Sequence, residues 1–167
     1  MDKHLILLAH HQELYRSLLV DFYNRQQDFQ VIADTGDGEE AVQLCKMLKP
    51  DLIFLDPYLT TCNGLKAARL IKQAWPDAKI IILAPSQDED ILFQALKQGV
   101  YGFLDTTLSP PELLKYTRGA LNGESPLTPS LTVALIEGIH RLSKQVLRSR
   151  RKRVQNPMDS KNIAYYG

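Results

Sequence analysis

Short apolar runs alternate along the chain with longer segments in which apolar residues recur every three or four positions. Three of the runs, LILLA, DLIFLD and KIIILA, are almost continuously apolar, which is typical of strands buried on both faces of a parallel sheet. Together with two weaker runs they predict five β-strands, at residues 3–9, 29–34, 51–56, 79–84 and 101–104.

The segments between these strands predict five amphipathic helices. In the first, residues 12–25, the side chains of Leu14, Leu18 and Phe22 recur at a spacing of four and form the expected apolar face. The second opens with Asp37 and has Glu40 three residues later, which is a capping-box pattern. The remaining start and stop signals are Asn63, Pro76, Asp88, Gly99, the run Ser109-Pro110-Pro111-Glu112, and Gly123.

Five alternating strands and helices favour an α/β fold with a doubly wound parallel sheet, because right-handed crossovers place helices on both faces. Ligand sites of such sheets lie beyond the carboxyl ends of the strands, at the point where the strand order reverses. The residues to consider for chemistry are therefore those that end the predicted strands, namely His10, His11, Asp56, Ala84, Asp105 and Thr106.

Composition narrows the class of protein. The chain has 167 residues, of which 44% are hydrophobic, enough for one domain with an appendage. It contains no apolar run of membrane-spanning length and no secretory signal pattern. Cys45 and Cys62 form neither a disulfide framework nor a zinc spacing, so we expect a protein of the reducing cytoplasm with no membrane association.

The charge is divided unevenly between the two parts of the chain. Residues 1–125 carry 12 Lys and Arg against 17 Asp and Glu, whereas residues 126–167 carry 8 against 2. An acidic body with a basic tail predicts different contacts for the two parts. We expect a domain at 1–125, an amphipathic basic helix at 126–153 and a flexible tail at 154–167.

Thr128 followed by Pro129 predicts the start of this last helix. Its apolar stripe, Leu135, Ile139, Leu142 and Val146, either mediates dimerisation or packs on the chain's own domain. A basic cluster follows at Arg148, Arg150, Arg151, Lys152 and Arg153. Such a cluster binds nucleic-acid backbones, contacts an acidic partner protein, or is simply solvated.

Several long segments resemble the receiver domain of two-component response regulators over residues 3–125. They are ILLAHHQELYRSLL, DGEEAVQLCKMLKPDLIFLDPYLTTCNGL, WPDAKIIILAPSQDEDILFQALKQGVYGFL and SPPELLKYTRGALNGESPLTP. The sequence is most similar to the NarL/FixJ branch, whose receivers precede a LuxR-type helix-turn-helix. The resemblance implies a flavodoxin-like (βα)₅ fold with strand order 2-1-3-4-5, here followed by a C-terminal helix. Too few residues follow the basic cluster for the helix-turn-helix, so we do not expect one in this sequence.

The same resemblance assigns roles to the strand-end residues. Asp56 matches the phosphoacceptor and Phe103 matches the aromatic residue of the switch. The family's magnesium-binding acid pair falls on His10 and His11, its hydroxyl residue on Ala84 and its lysine on Thr106. Gly64 also matches the family pattern.

These departures predict a degenerate pocket, because phosphoryl transfer relies on positioning and on charge neutralisation by a metal ion and a cation. We therefore expect weak or absent Mg²⁺ binding, no resident cofactor and no enzymatic activity. The favoured interpretation is an atypical receiver that acts in regulation by protein–protein contact, as a homodimer with a regulatory partner, independently of phosphorylation.

Three alternatives stay open from the sequence. Asp56 is the acceptor of a conventional phosphorelay, or the basic tail makes the chain a transcription-linked regulator that binds nucleic acid. In the third, His10, His11 and Asp56 form a transition-metal site or a pH sensor, since imidazole suits zinc, copper, iron or nickel and titrates near neutrality.

Overall fold

Five parallel strands form one sheet in the computed structural model, which describes residues 2–85 and 88–155. The strands are β1 (His4–Ala9), β2 (Phe29–Thr35), β3 (Leu52–Leu55), β4 (Ile80–Ala84) and β5 (Gly102–Asp105). Their order in the sheet is β2-β1-β3-β4-β5, and every neighbouring pair is parallel. This confirms the flavodoxin-like order, in which the direction of winding reverses between β1 and β3.

Six helices occur among the described residues. They are α1 (Glu13–Asn24), α2 (Gly38–Leu48), α3 (Gly64–Ala74), α4 (Glu89–Lys97), α5 (Pro110–Leu121) and α6 (Pro129–Gln155). The first five follow the five strands in turn, as the alternating pattern predicts. The predicted start of the last helix, at Pro129, is confirmed.

The core consists of two apolar layers, one on each face of the sheet. On one face, alternate strand residues such as Ile6 and Leu8 pack with Leu19 and Tyr23 of α1 and with Leu113 of α5. The intervening strand residues are equally buried and point the other way, because side chains alternate along a strand. On that second face α2 contacts α3, and α3 contacts α4.

The local capping signals fix where most helices begin and end. The side chains of Asn63 and Asp88 accept hydrogen bonds from backbone N–H groups of the helices they precede, at 2.9 and 3.2 Å. Ser109 and Glu112 form the complete capping box at the start of α5. Gly99, with a φ of 76°, adopts the left-handed conformation just after α4 that glycine permits.

The capping box predicted for α2 forms only in part. Asp37 accepts a hydrogen bond from the N–H of Glu40 at 2.9 Å, as expected. The Glu40 carboxylate, however, accepts from the hydroxyl of Thr35 at 3.0 Å. The backbone N–H of Asp37, which donates to Glu40 in a complete capping box, donates instead to the Thr35 hydroxyl at 3.0 Å. Thr35, at the end of β2, therefore lies between the two groups that the complete box would join directly.

The predicted apolar face of α1 is wrong. Leu14 and Leu18 are 75% and 60% exposed, whereas Leu19 and Tyr23 are buried. Tyr15 also packs against the core, together with Phe22. The helix therefore carries two overlapping stripes at a spacing of four, and the one containing both tyrosines faces the sheet.

The two cysteines are free and buried, consistent with the expectation that they form no disulfide. Burial raises the pKa of the Cys45 thiol to about 12 and raises that of Cys62 as well, so neither thiol is activated.

The chain divides into two compact units, Met1–Thr128 and Pro129–Gly167. Helix α6 belongs to the second unit and continues through residues 154 and 155, where the sequence predicts the start of a flexible tail. The rest of that predicted tail, residues 156–167, lies outside the described residues. None of the helices at residues 2–85 and 88–155 combines the length and apolar character needed to cross a bilayer.

Candidate functional site

The register between β1 and β3 brings the candidate residues together. Ala9 pairs with Leu55, so the residues that follow, His10 and Asp56, leave the sheet side by side. The backbone N–H of Asp56 donates to the carbonyl of Ala9 at 2.9 Å, and that of His10 donates to the carbonyl of Thr35 at 3.0 Å. These bonds extend the sheet by one residue and fix the positions from which both side chains start.

Asp56 is almost completely buried, with 1% of its surface exposed, and both of its carboxylate oxygens have partners. Oδ2 accepts a hydrogen bond from the backbone N–H of His11 at 2.9 Å and is also in close contact with Nδ1 of the His11 ring. Oδ1 accepts from the backbone N–H of Tyr58 at 2.9 Å. The buried carboxylate is thus satisfied within the chain, as a buried polar group requires.

His10 is also buried, and its ring plays a different part from that of His11. Its Nδ1 lies 3.9 Å from Asp56 Oδ2, but it accepts a hydrogen bond from the N–H of Gln12 at 3.1 Å. Burial lowers the pKa of His10, and the nearby Asp56 only partly offsets this effect. We therefore treat His10 as a neutral imidazole and its contact with Asp56 as a close approach rather than an ion pair.

Three further residues surround the histidines, and the sequence did not single them out. The ring of Tyr15 lies 4.7 Å from that of His10, and the ring of Tyr58 lies 6.1 Å from that of His11, centroid to centroid. Nη1 of Arg16 donates to the carbonyl of His10 at 2.7 Å, while its Nε pairs with Asp34 at 2.9 Å. The signal that could have identified them is their closeness in sequence to the candidate residues. Tyr15 and Arg16 lie four and five residues after His11, and Tyr58 lies two residues after Asp56.

Ala84 and Thr106 lie together at the next strand ends. Ala84 pairs with Asp105 in the sheet, and the backbone N–H of Thr106 donates to the carbonyl of Ala84 at 3.3 Å. Ala84 is buried and Thr106 is half-buried. The carboxylate of Asp105 accepts from the N–H and the hydroxyl of Thr107, both at 2.8 Å, and so caps the turn after β5.

Phe103 is fully buried within β5, which lies at the edge of the sheet. Its backbone N–H donates to the carbonyl of Pro126 at 3.0 Å, and it forms a parallel bridge with Leu127. The segment at 126–127 therefore pairs with part of this edge. The ring of Phe103 is therefore not exposed in this structure, and its role as the aromatic residue of the switch stays a prediction.

The predicted contact residues of the tail lie on the last turns of α6. Arg148, Arg150, Arg151, Lys152 and Arg153 are all exposed. Of the apolar stripe on the same helix, Ile139, Leu142 and Val146 are exposed by about half. Whether this stripe dimerises stays a prediction.

A parallel sheet of this order, with a buried aspartate at the end of its third strand beside the switch point, defines a receiver-type signalling domain. The family model described as the response regulator receiver domain matches residues 6–118. The chain belongs to the response regulator receiver family.

Similar proteins agree with this assignment. The chain is 33% identical over 144 residues to the uncharacterized transcriptional regulatory protein YxjL of Bacillus subtilis, covering 86% of this chain and 66% of that protein. It is 30% identical over 130 residues to the nitrate/nitrite response regulator NarL of Escherichia coli, covering 78% and 60%. The chain spans between 58% and 66% of the length of the first three curated relatives it matches.

Solved structures support the fold. The response regulator domain of Thermotoga maritima CheB superposes with a TM-score of 0.66 at 29% identity, covering 77% of this chain and all of that one. A LuxR-family response regulator from Aurantimonas superposes with a TM-score of 0.76 at 24% identity, covering 82% and 98%.

Proposed function

We propose that this chain is an atypical receiver that regulates a partner protein by direct contact, without phosphorylation of Asp56. The observation that carries the proposal is the engagement of the Asp56 carboxylate by His11, through both its backbone and its ring. His11 stands where the family resemblance places a magnesium-binding acid. One oxygen of the Asp56 carboxylate is thus engaged by a residue of the pocket itself.

The donor set also argues against magnesium chemistry. The family implies a Mg²⁺ ion, which prefers an octahedral shell of hard oxygen ligands and water. Here the residues that match the acid pair and the acceptor are two histidines and one aspartate, and their ligand atoms lie within 4.8 Å of one another. This set does not fit Mg²⁺, so we derive no phosphoryl-transfer step through it.

The two remaining positions of the pocket support the same conclusion. Ala84 has no hydroxyl to contact a phosphoryl oxygen, and Thr106 has no charge to neutralise one. Phosphoryl transfer draws most of its rate from positioning and electrostatic stabilisation. With these groups replaced, Asp56 keeps a structural role in holding the β1–α1 and β3–α3 loops together through His11 and Tyr58.

The test is intact-mass spectrometry after incubation with acetyl phosphate and Mg²⁺. We expect no phosphate adduct on the unmodified chain, while a receiver that carries the acid pair, the hydroxyl and the lysine gains one under the same conditions. The fourfold variant His10→Asp, His11→Asp, Ala84→Thr and Thr106→Lys should gain an adduct. An adduct on the unmodified chain that disappears in Asp56→Asn would establish the conventional phosphorelay and refute the proposal.

A second candidate function rests on α6. Its exposed cluster at 148–153 places five cationic side chains on two helical turns, enough to bind a phosphate backbone without sequence specificity. Four relatives bear the name transcriptional regulatory protein. Under this proposal the chain contacts nucleic acid as well as a protein partner.

A chain ending at Ser143 lacks the basic cluster and separates these functions. If the cluster binds nucleic acid, the full chain should slow the electrophoretic migration of random-sequence DNA, and this effect should weaken as salt is added. The shortened chain should leave the migration unchanged. Light scattering of the same pair bears on the proposed homodimer, because the shortened chain lacks Val146, the last residue of the stripe. The same number of chains per particle in both proteins would count against dimerisation through the segment beyond residue 143.

A further inference from the structure

We infer that His10, His11 and Asp56 form a binding site for a transition-metal ion of the Zn²⁺ type. The inference rests on the proposed function, since it assigns to the same pocket a ligand other than Mg²⁺ and phosphate. One ligand atom from each of the three residues lies within 4.8 Å of the other two. Two imidazole nitrogens and a carboxylate oxygen are an ordinary ligand set for zinc and its neighbours.

The distances are close to those of a formed site. Ligand bonds to zinc are about 2.0–2.2 Å long, which in a tetrahedron places neighbouring ligand atoms about 3.3 Å apart. His10 Nδ1 and Asp56 Oδ2 are 3.9 Å apart, which is about 0.6 Å more than that spacing. The ring of His11 already contacts the same oxygen, so side chains from all three residues converge on Asp56 Oδ2.

The backbone holds two of the ligands in place without the ion. His10 and Asp56 are fixed by hydrogen bonds to β2 and β1, at 3.0 and 2.9 Å. Both side chains are buried, at 3% and 1% exposure, so little ordering remains to be paid for when the ion binds. Pre-organisation of this kind raises affinity, because ordering costs reduce the observed binding free energy.

His11 supplies the opening of the site. Its side chain is 37% exposed, whereas the other two ligands are sealed from solvent. An ion can therefore enter past His11, and a fourth coordination position faces outward, where a water molecule or a group from a partner protein completes the tetrahedron.

Two neighbouring groups set the limits of the site. Gln12 donates its N–H to His10 Nδ1 at 3.1 Å, and an ion bound through that nitrogen displaces this hydrogen bond. The cationic Arg16 is nearby, but its charge is paired with Asp34 at 2.9 Å. Binding would thus alter the start of α1 and the loop from Asp56 to Tyr58, which gives the pocket a means of reporting the ion to a partner.

The experiment is a titration of the full chain, freed of any affinity tag and of bound metal by a chelator, with Zn²⁺ by calorimetry and with Co²⁺ by visible absorption. We expect one ion per chain and the intense visible bands of four-coordinate Co²⁺. The variant His11→Gln should weaken binding by at least about tenfold, the loss that even outer-shell changes produce. His4→Gln is the matched control, because His4 is exposed at the opposite end of β1.

Asp56→Asn provides a second variant, and thermal unfolding without metal shows whether each variant is folded. Binding that is lost in His11→Gln and Asp56→Asn but kept in His4→Gln supports the site. Absence of binding to the unmodified chain, or equal binding by all variants, overturns it. The phosphate adduct reports separately on the proposed function. If the chain shows neither an adduct nor metal binding, only the metal site is refuted. If the chain gains an adduct on Asp56, the proposed function is refuted.

Discussion

Replacement of Gly64 by alanine should destabilise the receiver unit through the backbone of the site. Gly64 is the first residue of α3 and lies directly against the chain that leaves β3. A Cβ at this position would be 2.1 Å from the carbonyl oxygen of Asp56 and 2.9 Å from Cα of Pro57. Since Cβ contacts under 3.0 Å essentially never occur, the two segments must separate by about 0.9 Å.

The expected cost follows from what resists this separation. The obstructing atoms are backbone, and the N–H of Asp56 is tied to β1, so no flexible side chain can move aside. Overpacking of this kind costs about 1–3 kcal/mol. The hydrogen bond from Gly64 N–H to the carbonyl of Pro57, 3.1 Å long, should weaken as well, at about 1 kcal/mol. We therefore expect a loss of about 2–4 kcal/mol, out of the 5–15 typical of a domain.

Urea unfolding followed by the fluorescence of Trp75 measures this loss, because the single tryptophan of the chain directly follows α3. The midpoint should fall while the slope stays constant. Gly119→Ala in α5 is the matched control: its Cβ meets the carboxylate end of Glu124 at 2.6 Å, a flexible side chain that can move away. We expect a change within about 1 kcal/mol there, helped by the higher helix propensity of alanine. Equal losses in the two variants would refute the reasoning.

Three further predictions concern stability. Tyr23→Phe removes the buried hydrogen bond between Tyr23 and Thr117, 2.7 Å long, and should cost about 1 kcal/mol in chemical unfolding; an unchanged midpoint would contradict this. Ser109→Ala breaks the capping box with Glu112 and should also cost about 1 kcal/mol, measured as a lower melting temperature. If water replaced the cap without cost, the melting temperature would not change. Burial raises the pKa of Tyr15 to about 12, so its contribution to stability is complete below pH 10 and is lost as the pH rises towards 12. Tyr15→Phe should flatten the alkaline part of the stability curve, and parallel curves for the two proteins would count against it.

The sequence predicts the fold well because each of its signals is local. A continuous apolar run such as IIILA in β4 has few alternatives to a buried strand, and Pro110 after Ser109 leaves little choice about where α5 begins. These signals depend on backbone geometry and on atoms within one helical turn. For that reason the predicted strand ends agree with the observed ones within one residue.

The face of α1 could not be predicted in the same way. Leu14, Leu18 and Phe22 recur at the same spacing as Tyr15, Leu19 and Tyr23, so periodicity alone does not choose between the stripes. Tyr23 is buried because it meets Phe29 and Phe54 from the sheet and the hydroxyl of Thr117 from α5. Those partners come from three other elements, and only their assembly makes this side the inner one.

The candidate site shows the same division. The identities of His10, His11, Ala84 and Thr106 are properties of the sequence, and with the family resemblance they suffice to predict a pocket that departs from magnesium and phosphate chemistry. That Oδ2 of Asp56 is held by His11, 45 residues away, follows only from the pairing of β1 with β3. The groups that stand at the strand ends could be predicted from the sequence, because strand patterns are local. Their contacts could not, because contacts across the sheet depend on strand order and register.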